Sequence, residues 1–260
     1  MEINGKTILI TGASSGIGYE LAKQLSKEGC NLILLARRKE ILDSLSQNLK
    51  TNNNTILTYK CDISKKDEVT HVFNDIRKKI DHIDIAILNS GIGHNITVEN
   101  FDSKFAEETF QVNVLGMIYC MEELLKDFLP KQAGVIVGVS SIADVRGFPR
   151  SGIYCSSKAA ASTMLESLRV ELKRYKIQVI TVRPGWVRTP MIKKNDFKMP
   201  FLMNADKAAQ IIIRGIIKEK KVIEFPIGTV LGGKFIKILP NFIFDYLAAK
   251  GLPKVKSEKI

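Results

Sequence analysis

The chain has 260 residues, 45% of them hydrophobic, a formal net charge of +12 and a pI near 9.5. That size and apolar fraction suit one large α/β domain with a substantial core. No apolar run reaches the roughly 20 residues that span a bilayer, the first residues lack the pattern of a signal peptide, and no zinc-finger spacing, basic–aromatic repeat or helix-turn-helix signature points to nucleic acid.

Cys30, Cys61, Cys120 and Cys155 are scattered, with no C-x-x-C and no Cys/His cluster. They read as reduced, packed thiols in a cytoplasmic protein, and no metal site is expected. The positive charge has three readings: a Lys-rich solvated surface, attraction to a phosphorylated ligand, or attraction to an anionic membrane. The spread of the lysines along the chain favours the first.

Strand-like and helix-like stretches alternate from the start. Residues 7–10 form a short apolar run that enters glycines. Residues 20–28 have helical spacing and stop at Gly29, a good residue to follow a helix end. A buried strand over 31–36, a helix over 40–50 and a strand over 56–61 follow, with an Asn-rich turn at 52–54. Val69, Val72, Phe73, Ile76 and Ile80 make a helical stripe over 66–80. Residues 83–88 read as a strand, 101–128 as a helix broken near its start, 134–139 as a strand, 151–175 as a long helix and 177–182 as a strand. Residues 190–203 look like a loop or short helices, 205–219 like a helix striped by Ala208, Ile211, Ile212 and Ile216, and 222–225 like a last strand. The alternation predicts a single-domain, Rossmann-type, doubly wound parallel sheet with helices on both faces. The catalytic domain is expected over 1–225, with a substrate lid at 190–220, and an apolar, basic extension over 226–260.

The first strand runs into Thr11-Gly12-Ala13-Ser14-Ser15-Gly16-Ile17-Gly18, and a helix follows. Glycines there let the backbone turn tightly and approach a pyrophosphate, and the helix start offers N–H groups and a positive dipole end. The second strand ends Leu34-Leu35-Ala36-Arg37-Arg38. A site for NAD(H) places an acid about 20 residues beyond the glycines to bind the ribose 2′-hydroxyl. Two arginines at that point suit a 2′-phosphate, so NADP(H) is preferred over NAD(H). Arg37 is the nearer candidate because it directly follows the residue at the acid's position.

Tyr154 and Lys158 are one turn apart on one helical face. A free tyrosine titrates near 10, too high for a base at neutral pH, and an adjacent ammonium is expected to lower it. A phenol so tuned can exchange a proton with a carbonyl or alcohol oxygen. Ser141 falls at the C-terminal end of the fifth strand, where it can orient the same oxygen. A Y-x-x-x-K pair alone is uninformative; its weight comes from the serine and glycine motifs upstream.

These pieces, with Cys61-Asp62, Asn89-Ser90-Gly91, Asn113, Ser140-Ser141 and Pro184-Gly185 in the same order, give a chain that resembles the classical short-chain dehydrogenases/reductases over about its first 225 residues. The resemblance implies a general acid/base at Tyr154, a ribose-holding Lys158, a carbonyl-positioning Ser141 and a water-mediated relay through Asn113. It places the cofactor against Gly12, Ser14, Ser15, Gly16, Ile17 and Gly18, against Asp62, Ile63, Asn89 and Gly91, and against Pro184, Gly185, Val187 and Thr189. For Asp62, a role as N-cap of the next helix is the alternative, one for which Ser64 competes. The sequence departs from the family's Asn-Ala-Gly at Ser90, which is small enough for close approach. The family habit of pairing through the Tyr–Lys helix implies a homodimer or homotetramer. The same architecture could serve a non-catalytic dinucleotide sensor or scaffold, but such a protein needs no complete catalytic quartet.

The substrate is expected to be a small carbonyl or alcohol, apolar or lipid-like, because Phe197, Met199, Phe201, Leu202 and Met203 lie in the lid. Ile142, Val145, Phe148 and Ile153 flank Ser141 and Tyr154. Ordinary core packing of those side chains is the alternative. The tail over 235–247 could lie on a membrane surface, cover the substrate mouth or pack on another subunit.

Overall fold

The computed structural model describes residues 1–51, 54–192, 199–250 and 252. Parts of the predicted Asn-rich turn, of the lid with Phe197, and of the C-terminal extension therefore lie outside the described residues.

Seven strands form one parallel sheet: β1 (Thr7–Thr11), β2 (Asn31–Ala36), β3 (Ile56–Lys60), β4 (Ile85–Leu88), β5 (Gly134–Val139), β6 (Ile177–Pro184) and, counted after two short strands, β9 (Val222–Phe225). Their order is β3-β2-β1-β4-β5-β6-β9. β7 (Val187–Arg188) and β8 (Met203–Asn204) pair separately, in parallel. The sheet's near-continuous burial explains why the strands are Val/Ile/Leu runs and not alternating patterns.

Successive strand residues feed opposite faces. Ile8, Ile10, Leu32 and Leu34 pack under α1 (Gly16–Lys27), α2 (Lys39–Leu49) and α7 (Ala205–Ile217). Leu9, Ile33 and Leu35 face the other way, under α3 (Lys66–Lys79), α5 (Gly116–Lys131) and α6 (Gly152–Glu171). The four cysteines are free and buried. Burial pushes the Cys30 thiol up to about 11 and the Cys61 thiol up to about 12, so both behave as packed apolar groups.

Chain order reverses between β1 and β4: β1 leads to β2 on one side, and β4 leads to β5 on the other. Such a switch point opens a crevice at the carboxyl ends of the strands. The segments leaving β1 through β6 there carry most of the residues singled out above, and α6 brings Tyr154 and Lys158 to the same edge.

Three elements differ from expectation. The helix over 101–128, expected to break near its start, is interrupted further along: α4 (Ser103–Phe110) and α5 are joined by a π-helical turn at Gln111–Leu115 that contains Asn113. Helix α1 begins at Gly16, inside the glycine turn, because glycines that lower helix propensity are required there for close approach. The tail is ordered into α8 (Ile227–Ile238) and α9 (Asn241–Ala249), with Pro240 at the start of α9. Periodicity missed α8 because Gly228, Gly232 and Gly233 interrupt its apolar pattern.

Candidate active site

The glycine turn is shaped by contacts that a side chain would break. Gly12 and Gly16 have φ of +69° and +58°. A Cβ on Gly18 would sit 2.5 Å from the Gly12 carbonyl oxygen, and one on Gly12 would sit 3.0 Å from Ser90 Cα. Ser15 starts α1 without a side-chain cap, and no acid lies in the first turn, so the helix start keeps N–H groups and a positive end for an anion. Ile17, half-buried in that first turn, packs against the core beneath it. Thr189 closes the turn from the far side: a Cβ on Gly16 would meet its methyl at 2.9 Å. This narrow cradle with its donor-rich end fits a dinucleotide pyrophosphate.

Of the two arginines, Arg38 joins the turn. Its Nε and Nη2 donate to Ser14 Oγ at 3.3 and 2.9 Å. Arg37 is exposed beside it. Arg38 lies over Ser14 just ahead of the helix that starts at Lys39.

Asn89 braces the floor of the crevice. Its Nδ2 donates to the Thr11 carbonyl at 3.1 Å, and its backbone N–H donates to Thr11 Oγ1 at 3.0 Å. Asp62 Oδ1 accepts from the Ser64 N–H at 3.1 Å and its hydroxyl at 2.7 Å, a local turn that occupies one carboxylate oxygen; the N-cap of α3 is Lys65, so neither Asp62 nor Ser64 caps that helix. Ile63 is buried, and a Cβ on Gly116 would meet its carbonyl oxygen at 2.8 Å, which makes it a packing residue under α5. Pro184 ends β6, the Gly185 N–H donates to the Phe225 carbonyl at 2.7 Å, and Val187 is buried in β7.

Tyr154, Lys158, Ser141 and Asn113 come together at this edge. Tyr154 and Lys158 lie on α6, with the Lys158 amine 5.8 Å from the Tyr154 ring centre. Ser141 leaves β5 close enough to the Tyr154 phenol to lower its pKa, and its Oγ donates to the Pro184 carbonyl at 3.4 Å. Ser141 Oγ also accepts from the Ala143 N–H at 3.1 Å, which fixes its rotamer. Opposite, a Cβ on Gly93 would touch the Tyr154 ring at 3.0 Å. Asn113 is wholly buried: its Oδ1 accepts from the Ile92 N–H at 2.8 Å, and its Nδ2 donates to the Ile92 carbonyl at 2.9 Å and to Ser157 Oγ at 3.0 Å. Its side chain is thereby spent on holding the 91–92 backbone, over which a Gly91 Cβ would lie 3.2 Å from the Lys158 amine.

The charge balance differs from expectation. Burial pushes the Tyr154 phenol above its ordinary value, the Ser141 hydroxyl pulls it back, and nearby Cys155 and Asp144 push it further up. Burial also lowers Lys158 to about 8, with Asp144 opposing. The amine donates to the Val139 carbonyl at 3.0 Å. Burial thus dominates the phenol's balance, while the Lys158 amine is engaged at the end of β5.

One group of residues escaped the sequence reading. Asp144, with a side chain 4% exposed, accepts two hydrogen bonds from Arg183, one of them from Nε at 2.8 Å. Arg183 Nη1 reaches Glu224 at 2.5 Å. Ser162 Oγ lies 2.5 Å from Asp144 Oδ2 and 2.8 Å from Ser140 Oγ, and Ser140 donates to the Lys158 carbonyl at 2.9 Å. This chain stiffens the turn that carries Ser141 and ties it to α6. A signal existed: Arg183 and Glu224 interrupt apolar strands and are register partners, and a charge in a buried strand must be paired.

The family profile described as short chain dehydrogenase matches residues 6–199. An uncharacterized oxidoreductase of Myxococcus xanthus is 30% identical over 96% of this chain and 98% of its own. A fatty acyl-CoA reductase of Acinetobacter baylyi is 30% identical over 87% of this chain and 78% of its own. A farnesol dehydrogenase of Aedes aegypti is 33% identical over 74% and 81%. Among solved structures, a short-chain dehydrogenase from Sphingobium yanoikuyae in complex with NADPH has a TM-score of 0.80 at 22% identity, covering 97% of this chain and 98% of its own. One from Burkholderia phymatum in complex with NAD has a TM-score of 0.83 at 18% identity, covering 98% of each. At those identities the two structures speak for the fold.

Proposed function

The chain belongs to the short-chain dehydrogenase family, and on that premise we propose that it is an NADP(H)-dependent oxidoreductase that interconverts an apolar carbonyl and its alcohol. The observation that carries the reading is the meeting of Ser141 and Tyr154 hydroxyls beside the glycine turn, with the Lys158 amine behind the ring.

The glycine turn, Thr189 and Arg38 would hold the phosphates, and Asn89 and the 91–92 backbone would line the sheet side. When bound there, the nicotinamide would supply hydride chemistry at the carbonyl carbon. Tyr154, kept protonated by burial, gives its proton to the carbonyl oxygen as negative charge develops there. Ser141 donates a hydrogen bond to the same oxygen. Lys158, charged below about pH 8, offsets the phenolate that remains. Asn113 acts by position, holding the backbone above the Lys158 amine. A non-catalytic binder would have no use for this set.

Preference for NADP(H) rests on the pair Arg37-Arg38 after Ala36 and on the seat of Arg38 over Ser14. An apolar substrate is supported by the names of two relatives, a fatty acyl-CoA reductase and a farnesol dehydrogenase. The apolar Ile142 and Val145 beside Ser141 agree with it. Homodimer or homotetramer assembly is part of the reading, by family habit.

The test is a panel of alkanals, apolar ketones and prenols of rising length, assayed with NADPH and with NADH by nicotinamide absorbance. The expected result is kcat/KM that rises with chain length and favours NADPH. Tyr154→Phe is expected to bind NADPH as the parent does and to lose nearly all turnover. Full activity in that variant refutes the assigned role.

A further inference from the structure

Helices α8 and α9 present an apolar stripe that the enzyme reading does not use. Ile227, Leu231, Phe235 and Ile238 fall on one side of α8 and are 76%, 62%, 58% and 77% exposed. Phe242 and Tyr246 continue it on α9, at 74% and 63%. The opposite side of α8 is packed: a Cβ on Gly233 would meet Ile142 at 2.8 Å. Large aromatic and aliphatic side chains gathered on one exposed face mark an interaction surface.

The charge around the stripe points to its partner. The described residues of the tail hold three lysines, Lys234, Lys237 and Lys250, against one acid, Asp245. Lys234 and Lys237 are exposed on α8 itself. Lys250 lies over the exposed Tyr246 ring at 4.3 Å, an arrangement suited to headgroup depth. A second copy of this chain would bring like charges together across a two-fold axis. An anionic surface would complement them. Among the described residues no helix is long and apolar enough to cross a membrane.

We infer that the α8–α9 face is a monotopic docking surface for an anionic lipid bilayer. The stripe inserts among the acyl chains, and the lysines meet the headgroups. The docked face is rigidly joined to the catalytic turn. Arg146, which follows that turn, donates to the Ile236 and Leu239 carbonyls at 3.2 and 2.6 Å and to Asn241 Oδ1 at 2.5 Å, and its guanidinium stacks 4.3 Å over Phe244. Docking would therefore hold the Ser141 turn at the bilayer surface, where an apolar substrate is concentrated. That last consequence rests on the proposed function; the docking itself does not.

The test is flotation of the full chain with vesicles of phosphatidylcholine alone or with added phosphatidylglycerol, at low and high salt. Flotation with the anionic vesicles, weakened by salt, is the expected result. The double variant Phe235→Ser/Phe242→Ser is expected to bind them about tenfold more weakly. Lys237→Glu/Lys250→Glu is expected to lose the anionic preference. Both should keep the parent's circular dichroism and its turnover of a water-soluble carbonyl. Equal flotation with neutral vesicles, no flotation, or a lipid-free dimer that the Phe235/Phe242 variant abolishes would each overturn the inference. Flotation needs no turnover, so an inactive chain that floats would refute the enzyme reading alone.

Discussion

Replacing Lys158 by methionine is expected to stabilise the fold while removing activity. The lysine side chain is 3% exposed, and burial lowers its pKa from 10.5 to about 8. At about 1.4 kcal/mol per unit, holding that ammonium in the folded protein costs about 3 kcal/mol. The sign follows from proton binding: between pH 8 and 10.5 the unfolded chain keeps a proton that the folded chain sheds, so stability from this group rises with pH. Below about pH 8 the full cost is present. Methionine fills a similar volume without it, but leaves the Val139 carbonyl without its donor, a loss of about 1 kcal/mol. The net gain is about 2 kcal/mol at pH 7, equivalent to roughly 4–8 °C in Tm. Urea unfolding of parent and Lys158→Met without added nucleotide, at neutral pH and near pH 10, measures it. The gain should be largest at neutral pH and shrink as the parent lysine discharges. A variant that is less stable than the parent at neutral pH, or whose advantage is the same at both pH values, refutes the desolvation argument.

Reduction should lose rate above about pH 8, where Lys158 sheds its charge, and the phenol, pushed up by burial, should not set that limb. A pH profile of kcat/KM that stays flat well past pH 8 contradicts this. Arg38→Ala should raise the KM for NADPH by about tenfold, the scale of one lost charge-assisted hydrogen bond, and leave the KM for NADH within about twofold; equal effects on both would remove Arg38 from the 2′-phosphate site. Arg183→Leu strands the buried Asp144 carboxylate and should cost about 3–5 kcal/mol in denaturant unfolding. Adding Asp144→Leu should recover part of that loss, and strictly additive losses would show that the two groups are uncoupled.

Much of this arrangement is legible along the chain because its signals are local. Strand runs, the glycine turn and the Tyr154–Lys158 spacing each lie within a few residues, and each has a geometric requirement that only certain side chains meet. The bounds of β2, β5 and β9 agree to the residue, since turn residues punctuate both ends. The π-turn at Gln111–Leu115 was not legible beyond a break, because it exists to aim Asn113 at Ile92, twenty-one residues away. Helix α8 was hidden by glycines, two of which, Gly228 and Gly233, leave room for contact with Phe201 and Ile142.

The sequence by itself therefore determined the doubly wound sheet and the glycine turn, and it named the four side chains that the fold gathers at one edge. These follow from periodicity and from backbone rules at single positions. Tertiary structure alone decided that Arg38 and not Arg37 seats on Ser14, that the lysine amine turns to Val139, and that Asp144, Arg183 and Glu224 close a buried chain behind Ser141. Those outcomes depend on which long side chains meet after distant strands align, and on how much water the packed edge excludes. No short stretch of residues carries that information.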